Sequence, residues 1–564
     1  MITFLRTIAY GLPLLFLAVF FFYPLAAILQ LSFGDFASGG LVRLVSDGYY
    51  VRVLWFSTWQ AALSTVLTLI TALPAAYVFA RYDFPGKTLW RAIATVPFVL
   101  PVVVVATAFV ALLGPRGLLN TTLQSLFALE QPPLEVVNTL GAVLLAHVFY
   151  NYSVVLRIVG SFWSTLDSRL EQAAAVLGAS RFRVFREVTL PLLLPSIGAA
   201  ALLVFIFTFS SFGVLLILGG PRLATIEVEI YRQTAQLLRL DSAAALSLTQ
   251  MCATLLMTML YTRLQTRFTV PIDQRARATN TKPARTRGAR LIIGGNIVVI
   301  TVLLVAPMIA LGLRSITSLT PDESALTLNY YRLLNINRTG SFFFVPPTQA
   351  IANSLLFALA TTVLSLLVGI PAAYLIARQK SPQRNSQQNS HFTWLLDPLF
   401  MLPLGTSAVT LGLGYIVALG SPPINLLRSP LLIPVAHTLL AFPFVVRSLL
   451  PALRGLDPQL REAASIQGAG PLRVLREIDL PILFPALLVG AVFAFTVSLG
   501  EFGATLLLSR PDYPTIPIAI YRFLGQPGTE NYGQALALST ILMIISVLCF
   551  LLLERVRYRD IGEF

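Results

Sequence analysis

Ionisable side chains are scarce in this chain. Lys, Arg, Asp and Glu together make up 12% of its 564 residues, about half the share in an average soluble protein. A charge at mid-bilayer costs roughly 2.5–3.5 kcal/mol or more, so a shortfall of this size is what a membrane demands and a soluble globular chain is excluded. Lysine is almost missing: Lys87, Lys282 and Lys380 are the only ones, and the net charge of +15 is carried mainly by Arg. Cysteine is reduced to Cys252 and Cys549, each inside the last apolar segment of its half. That leaves no disulfide framework and no metal site. No Ser-His-Asp set, cysteine site or carboxylate pair is discernible, so catalysis has no support. A phosphate loop is lacking too. Gly86-Lys87-Thr88 is the nearest match, but Arg81 stands where the first glycine belongs and the segment follows an apolar helix instead of a buried strand. The chain is therefore not itself an enzyme, and it holds no cofactor.

What is present is apolar length. Apolar residues reach 56% and the mean hydropathy is +0.78. Windows of about 20 residues, enough to span a bilayer as a helix, fall near 8–32, 55–80, 92–114, 138–160, 190–218 and 242–262 in the first half. In the second they fall near 290–314, 351–378, 394–419, 431–453, 480–508 and 534–553. The run after Met1–Arg6 is longer than a signal-peptide core and lacks a small-x-small cleavage site, so it is expected to stay as a membrane helix. With the amino terminus inside, Arg81/Lys87/Arg91, Arg378/Lys380/Arg384 and Arg555/Arg557/Arg559 all fall in the cytoplasm, as the positive-inside rule requires. Loops expected outside mix signs, as with Glu130 and Glu135 or Glu227, Glu229 and Arg232. Arginines clustered between apolar segments in this way argue against a nucleic-acid partner.

The two halves repeat one another. Pro74-Ala75-Ala76-Tyr77 recurs as Pro371-Ala372-Ala373-Tyr374, Ala146-His147 as Ala436-His437, and Arg157 as Arg447. Phe212-Gly213, Pro221, Thr225-Ile226 and Ile230-Tyr231-Arg232 recur as Phe502-Gly503, Pro511, Thr515-Ile516 and Ile520-Tyr521-Arg522. Polar and Pro/Gly landmarks kept in order mark true internal repeats. Six helices return the chain to its starting side, so the repeats run parallel, with a pathway expected between them. The division is 1–262, a first six-helix repeat; 263–289, a basic cytoplasmic linker; and 290–564, a second six-helix repeat.

One water-facing stretch also occurs twice. Leu166-Asp167, Glu171-Gln172-Ala173-Ala174, Gly178, Arg183 and Glu187-Val188-Thr189-Leu190-Pro191 match Leu456-Asp457, Arg461-Glu462-Ala463-Ala464, Gly468, Arg473 and Glu477-Ile478-Asp479-Leu480-Pro481. Alanines favour helix and let another surface approach the backbone. Gly178 and Gly468 can take the left-handed conformation that turns one short helix into the next. The second copy resembles the EAA loop of ABC-importer permeases, and the first matches it with Gln172 in the leading position. The resemblance extends over the whole chain, as a fusion of two permease units similar to those serving ferric iron or thiamine. Gly500-Glu501-Phe502-Gly503-Ala504-Thr505 also resembles oxyanion (molybdate or sulfate) permeases.

The resemblance implies an all-α polytopic membrane protein of about twelve transmembrane helices, arranged as two parallel six-helix repeats of the type I ABC importer kind. It implies a multi-pass protein of a prokaryotic cytoplasmic (inner) membrane with both termini cytoplasmic. Its partners would be two cytoplasmic ABC ATPase subunits, which bind the ATP, and an extracytoplasmic solute-binding protein. By the same resemblance Glu171, Gln172, Ala173, Ala174 and Gly178, with Glu462, Ala463, Ala464 and Gly468, form the ATPase-coupling surface. Intramembrane polar residues are functional candidates by default. His147, Asn151, His437 and Glu501 are therefore candidates for the translocation path, alongside a purely structural reading in which they join neighbouring helices. An ion-gradient-driven secondary transporter is the rival reading.

Overall fold

The computed structural model describes residues 11–33, 40–267, 281–319, 326–336, 346–377, 396–420 and 425–559. Arg378, Lys380, Arg384 and residues 268–280 of the basic linker lie outside the described residues, as does the Met1–Arg6 start.

The first repeat runs α1 (Gly11–Phe33), α2 (Gly48–Arg81), α3 (Val102–Leu113), α4 (Leu140–Thr165), α5 (Ser168–Val176), α6 (Leu190–Phe209), α7 (Gly213–Leu218), α8 (Ile226–Tyr231) and α9 (Leu240–Arg267). The second repeats that order as α10 (Arg287–Ser315), α11 (Pro347–Ala377), α12 (Ala408–Leu419), α13 (Leu432–Gly455), α14 (Pro458–Ile466), α15 (Leu480–Gly500), α16 (Gly503–Leu508), α17 (Ile516–Leu524) and α18 (Thr529–Arg559). Among the described residues, 11 helices are long and apolar enough to cross a membrane, or 12 if the bent pair ending in α12 is one span.

Proline and glycine set the breaks that the hydropathy windows smooth over. The window 92–114 is cut at Val96–Val99 and Pro101, so the third crossing starts only at Val102. Its counterpart bends by 96° before Ala408. The windows 190–218 and 480–508 are each two helices. The chain turns between Phe209 and Gly213 and again between Gly500 and Gly503. Four other prolines change the helix type. Pro24, Pro191, Pro307 and Pro481 each follow a five-residue π-helical turn, and in each case the residue before the proline donates its N–H five residues back. A proline offers no N–H of its own, and the wider turn re-registers the ladder around that gap.

The repeats do not seal themselves off from one another. α1 of the first repeat packs on α12 of the second, and α10 of the second packs on α3 of the first. Leu17 and Phe21 belong to a core otherwise built from the second repeat. Ile293, Ile300 and Leu304 complete the core of the first. Each half thus contributes its first helix as an arm to the other. Burial of apolar area, at roughly 25 cal/mol per Å², supplies association between helices only where they leave water; within a bilayer, close packing of small residues carries it. Ala72, Ala75 and Ala76 on α2, and Ala372 and Ala373 on α11, are accordingly fully buried.

The linker is not free throughout. Lys282–Pro283 (β2) pairs in parallel with Tyr82–Asp83 (β1), and Ala284 N donates to Asp83 O at 3.3 Å. The pairing tethers the start of the second repeat to the α2 end of the first.

Candidate coupling loops and translocation path

α5 and α14 are built alike. Asp167 accepts from Arg169 N and Asp457 from Gln459 N, each at 2.9 Å, so a carboxylate caps each helix at its positive end. At the other end Gly178 has φ +84° and Gly468 φ +81°. A Cβ on either would meet nothing within 4 Å, so glycine is required there by backbone conformation and not by crowding. Neither helix buries a residue. Apolar side chains crown both turns: Leu177 is 88% and Ile466 87% exposed, with Val176, Phe182 and Leu472 also exposed beside them. Exposed apolar residues grouped on a polar loop mark a contact surface.

Of the expected coupling residues, Gln172, Ala173, Glu462 and Ala463 are exposed, and Ala174 and Ala464 are half-buried. Glu171 has a different position. Its carboxylate accepts from Arg81 at 2.5 Å and from Thr189 Oγ1 at 3.0 Å, so it ties the loop helix to α2 and to the start of α6. The second repeat makes the half of this tie that leads to α15, with a cation at the loop position: Arg461 Nε donates to Asp479 at 2.8 Å. Arg461 and Asp479 occupy the positions of Glu171 and Thr189, so one mechanical link is made from different residues in each repeat.

His147 and His437 are buried, and each is bonded on both ring nitrogens. His147 meets Ser64 of α2 and Ser211, both at 2.9 Å. His437 meets Ser498 of α15 and Thr505 of α16, both at 2.8 Å. Glu501 lies 3.1 Å from His437 Nε2 and accepts from Ala504 N at 2.8 Å, Thr505 N at 2.9 Å and the Thr505 hydroxyl. It closes the first turn of α16. Asn151 donates to His147 O at 2.9 Å, within its own helix. His147, His437 and Glu501 therefore join helices in this conformation while Asn151 bonds within α4, and a donor or acceptor aimed at a solute would have to be released by helix movement. Among the described residues no group of three or more His, Cys, Asp or Glu could hold a metal ion.

A cavity of about 180 Å³ does lie between the repeats, lined by Phe98, Val99 and Arg157 from the first and by Val489, Val492, Phe493, Thr496, Phe550 and Leu553 from the second. Arg157 Nη2 stands 3.6 Å from Glu554 of α18 across the boundary. At the far ends of α6 and α15 the boundary is closed by aromatic rings. Phe212 and Phe502 stack with centroids 5.6 Å apart, flanked by Tyr231 at 5.6 Å and Tyr521 at 5.5 Å. Hydropathy alone does not single these rings out; their signal was their recurrence as landmarks in both repeats.

Glu227 and Glu229 correct one expectation. They do not face water in an outer loop; both are about 1% exposed. α8 alternates them with Ile226, Val228 and Ile230, and its neighbours bring donors. Gln250 Nε2 and Ser407 Oγ reach Glu227 at 2.5 and 2.6 Å. Gln233 Nε2 and Tyr49 Oη reach Glu229 at 2.5 and 2.7 Å. Buried carboxylates are tolerable when their oxygens are paired in this way.

Residues 72–270 match the family described as binding-protein-dependent transport system inner membrane component. That stretch carries a domain of this transport-permease family. Relatives extend the likeness well beyond that stretch. The thiamine transport system permease protein ThiP of Escherichia coli (strain K12) is 28% identical over 528 residues, covering 92% of this chain and 91% of that protein. ThiP of Brucella suis biovar 1 (strain 1330) is 27% identical over 557 residues, covering 98% and 95%. The ferric transport system permease protein FbpB of Actinobacillus pleuropneumoniae is 25% identical, covering 95% of this chain and 76% of that one. The chain is an all-α, multi-pass membrane protein of two repeats, and the type I permease match falls mainly in the first.

Proposed function

We propose that this permease is the whole transmembrane part of an ATP-driven, solute-binding-protein-dependent importer. The observation that carries the reading is the pair of matching loop helices, each capped by Asp, ended by a left-handed glycine and crowned by exposed apolar side chains. Two such surfaces suit two copies of one soluble ATPase, which would bind the ATP. The loops and both termini would face the cytoplasm, following the arginine distribution. The binding protein would deliver at the opposite end, where the aromatic rings close the boundary.

In this reading ATP binding draws α5 and α14 together, and the ties at Glu171–Arg81 and Arg461–Asp479 pass that motion to the membrane helices. The repeats part at the aromatic seam, accept the solute and return after hydrolysis, which is alternating access by population shift. The cargo would be a small solute of the thiamine or iron(III) kind, supported by the printed names of the thiamine and ferric relatives.

The test is reconstitution of the chain in proteoliposomes with the neighbouring ATPase and binding protein, followed by uptake of thiamine and of iron(III). Uptake that requires ATP inside and the binding protein outside is expected. Uptake driven by an imposed ion gradient without ATP would establish the secondary-transporter reading in its place.

A further inference from the structure

The boundary between the repeats is not symmetrical in chemistry, although the backbone is. On one side Glu227 of α8 reaches across to Ser407, which caps α12 in the other repeat. Ser407 Oγ donates to Glu227 at 2.6 Å while accepting from Val409 N at 3.1 Å and Thr410 N at 3.4 Å. The carboxylate therefore sits at the positive end of a 12-residue helix, where negative charge is favoured. Its second oxygen is held by Gln250 of α9 at 2.5 Å. Glu229, on the same helix, is occupied with Tyr49 and Gln233, and among the described residues no cation lies within ion-pair distance of Glu227.

On the other side the equivalents are Pro517 and Pro101. Pro101 precedes α3 without any side-chain cap, and Pro517 sits in the first turn of α17. Neither can donate a hydrogen bond. The aromatic seam lies between these two contacts, since Phe502 is followed by Gly503, where an added Cβ would stand 3.1 Å from Ala408 Cβ at the start of α12.

We propose that Glu227 is a positioning residue that latches the closed seam, bonding α8 of one repeat to the capped start of α12 in the other, on one side of the axis only. The other side lacks a counterpart of that bond to a carboxylate: prolines stand at the equivalent positions, and α3 and α18 are joined there by the neutral, longer bond from Tyr532 Oη to Val110 O at 3.3 Å. Opening is then a hinged parting that starts at Pro101 and Pro517. The proposal rests on the alternating-access reading above.

Arg222 and Asp512 are exposed, equivalent positions on the loops before α8 and α17, and they report the seam width when spin-labelled. The full chain is placed in nanodiscs as R222C/D512C, with Cys252 and Cys549 replaced by Ser, and the distance distribution is measured by pulsed electron resonance. A hydrogen bond to a buried charge suggests a change of roughly tenfold or more in the wide-to-narrow ratio when it is lost. E227Q and S407A are each expected to raise the wide population by that factor, and the double variant no further than either alone. S407T, which keeps the hydroxyl, and P517A are expected to retain the narrow distribution. An unchanged distribution in E227Q, or two single effects that simply add, would overturn the latch. Should E227Q not fold, the contrast of S407A with S407T decides. The readout uses neither ATPase nor cargo, so failure of the importer reading shows in reconstituted uptake and leaves this measurement intact.

Discussion

Phe212 and Phe502, the same position in the two repeats, lie ring against ring with their planes 27° apart and their centroids 5.6 Å apart. Each is held by a tyrosine of its own repeat, Tyr231 or Tyr521. A contact between equivalent residues can only form on the pseudo-two-fold axis, which places this pair at the centre of any passage between the halves. Both rings are at most 8% exposed.

Removing either ring should loosen the seam by a similar amount. F212A or F502A forfeits a buried aromatic, about 3–5 kcal/mol of folded-state stability, so the milder F212L and F502L are the better probes. Each should raise basal ATP hydrolysis of the assembled transporter several-fold in the absence of binding protein, with equal effects at the two positions. A coupled ATPase assay with the partner subunits checks this, and unchanged basal turnover in both variants would count against a closing role.

The left-handed turns at Gly178 and Gly468 should resist any side chain. With φ near +80°, G178V and G468V force a β-branched residue into a conformation costing roughly 1–2 kcal/mol or more, and the exposed turn should distort. Co-purification of the ATPase should fall while membrane insertion is retained. Affinity capture of the chain followed by quantification of bound ATPase measures the first, and protease protection in membranes the second.

Charge exchange tests the two ties between loop and membrane helices. R461E places an acid against Asp479, and E171R sets a second guanidinium against that of Arg81. Each should lower the ATP-driven uptake rate and the melting temperature, with a coupling energy of about 0.5–3 kcal/mol in a double-variant cycle. R461E/D479R should recover much of the loss. No recovery in the paired variant would show that the tie is not an ionic contact in the working protein.

The histidines should behave as joints. H437A removes the imidazole that bridges Ser498 and Thr505 and stands beside Glu501; Ser498 keeps Thr361 and Thr505 keeps Glu501, so the loss is that of two buried hydrogen bonds, about 1–3 kcal/mol together. A lower melting temperature with an unchanged KM for uptake is expected, and likewise, more weakly, for H147A. A raised KM at full thermal stability would instead place these residues in contact with the solute.

Much of this architecture could be read from the chain because it is local. Helix length follows from apolar run length, and the recurrence of Phe-Gly, Tyr-Arg and the Glu/Ala/Gly loop fixes the repeats. The glycine turns follow from glycine's unique freedom at positive φ. The exchange of α1 and α10 between repeats has no local signature, since Leu17 and Ile300 are apolar whichever neighbour they meet. Glu227 and Glu229 looked like loop residues because window hydropathy averages over a six-residue helix. Only the packing shows that Gln250 and Ser407, distant in sequence, supply the donors. Glu171 belonged to the right loop by resemblance, but its direction toward Arg81 depends on where α2 ends.

The central claim is that α5 and α14 are the two grips of one external motor. Photo-crosslinking residues placed singly at Leu177 and Ile466, the most exposed apolar positions on the two turns, test it in the assembled transporter. The account predicts that both positions form adducts with the same ATPase and that ATP changes the yield at each. A transporter that still moves solute with ATP while neither position captures an ATPase would contradict it.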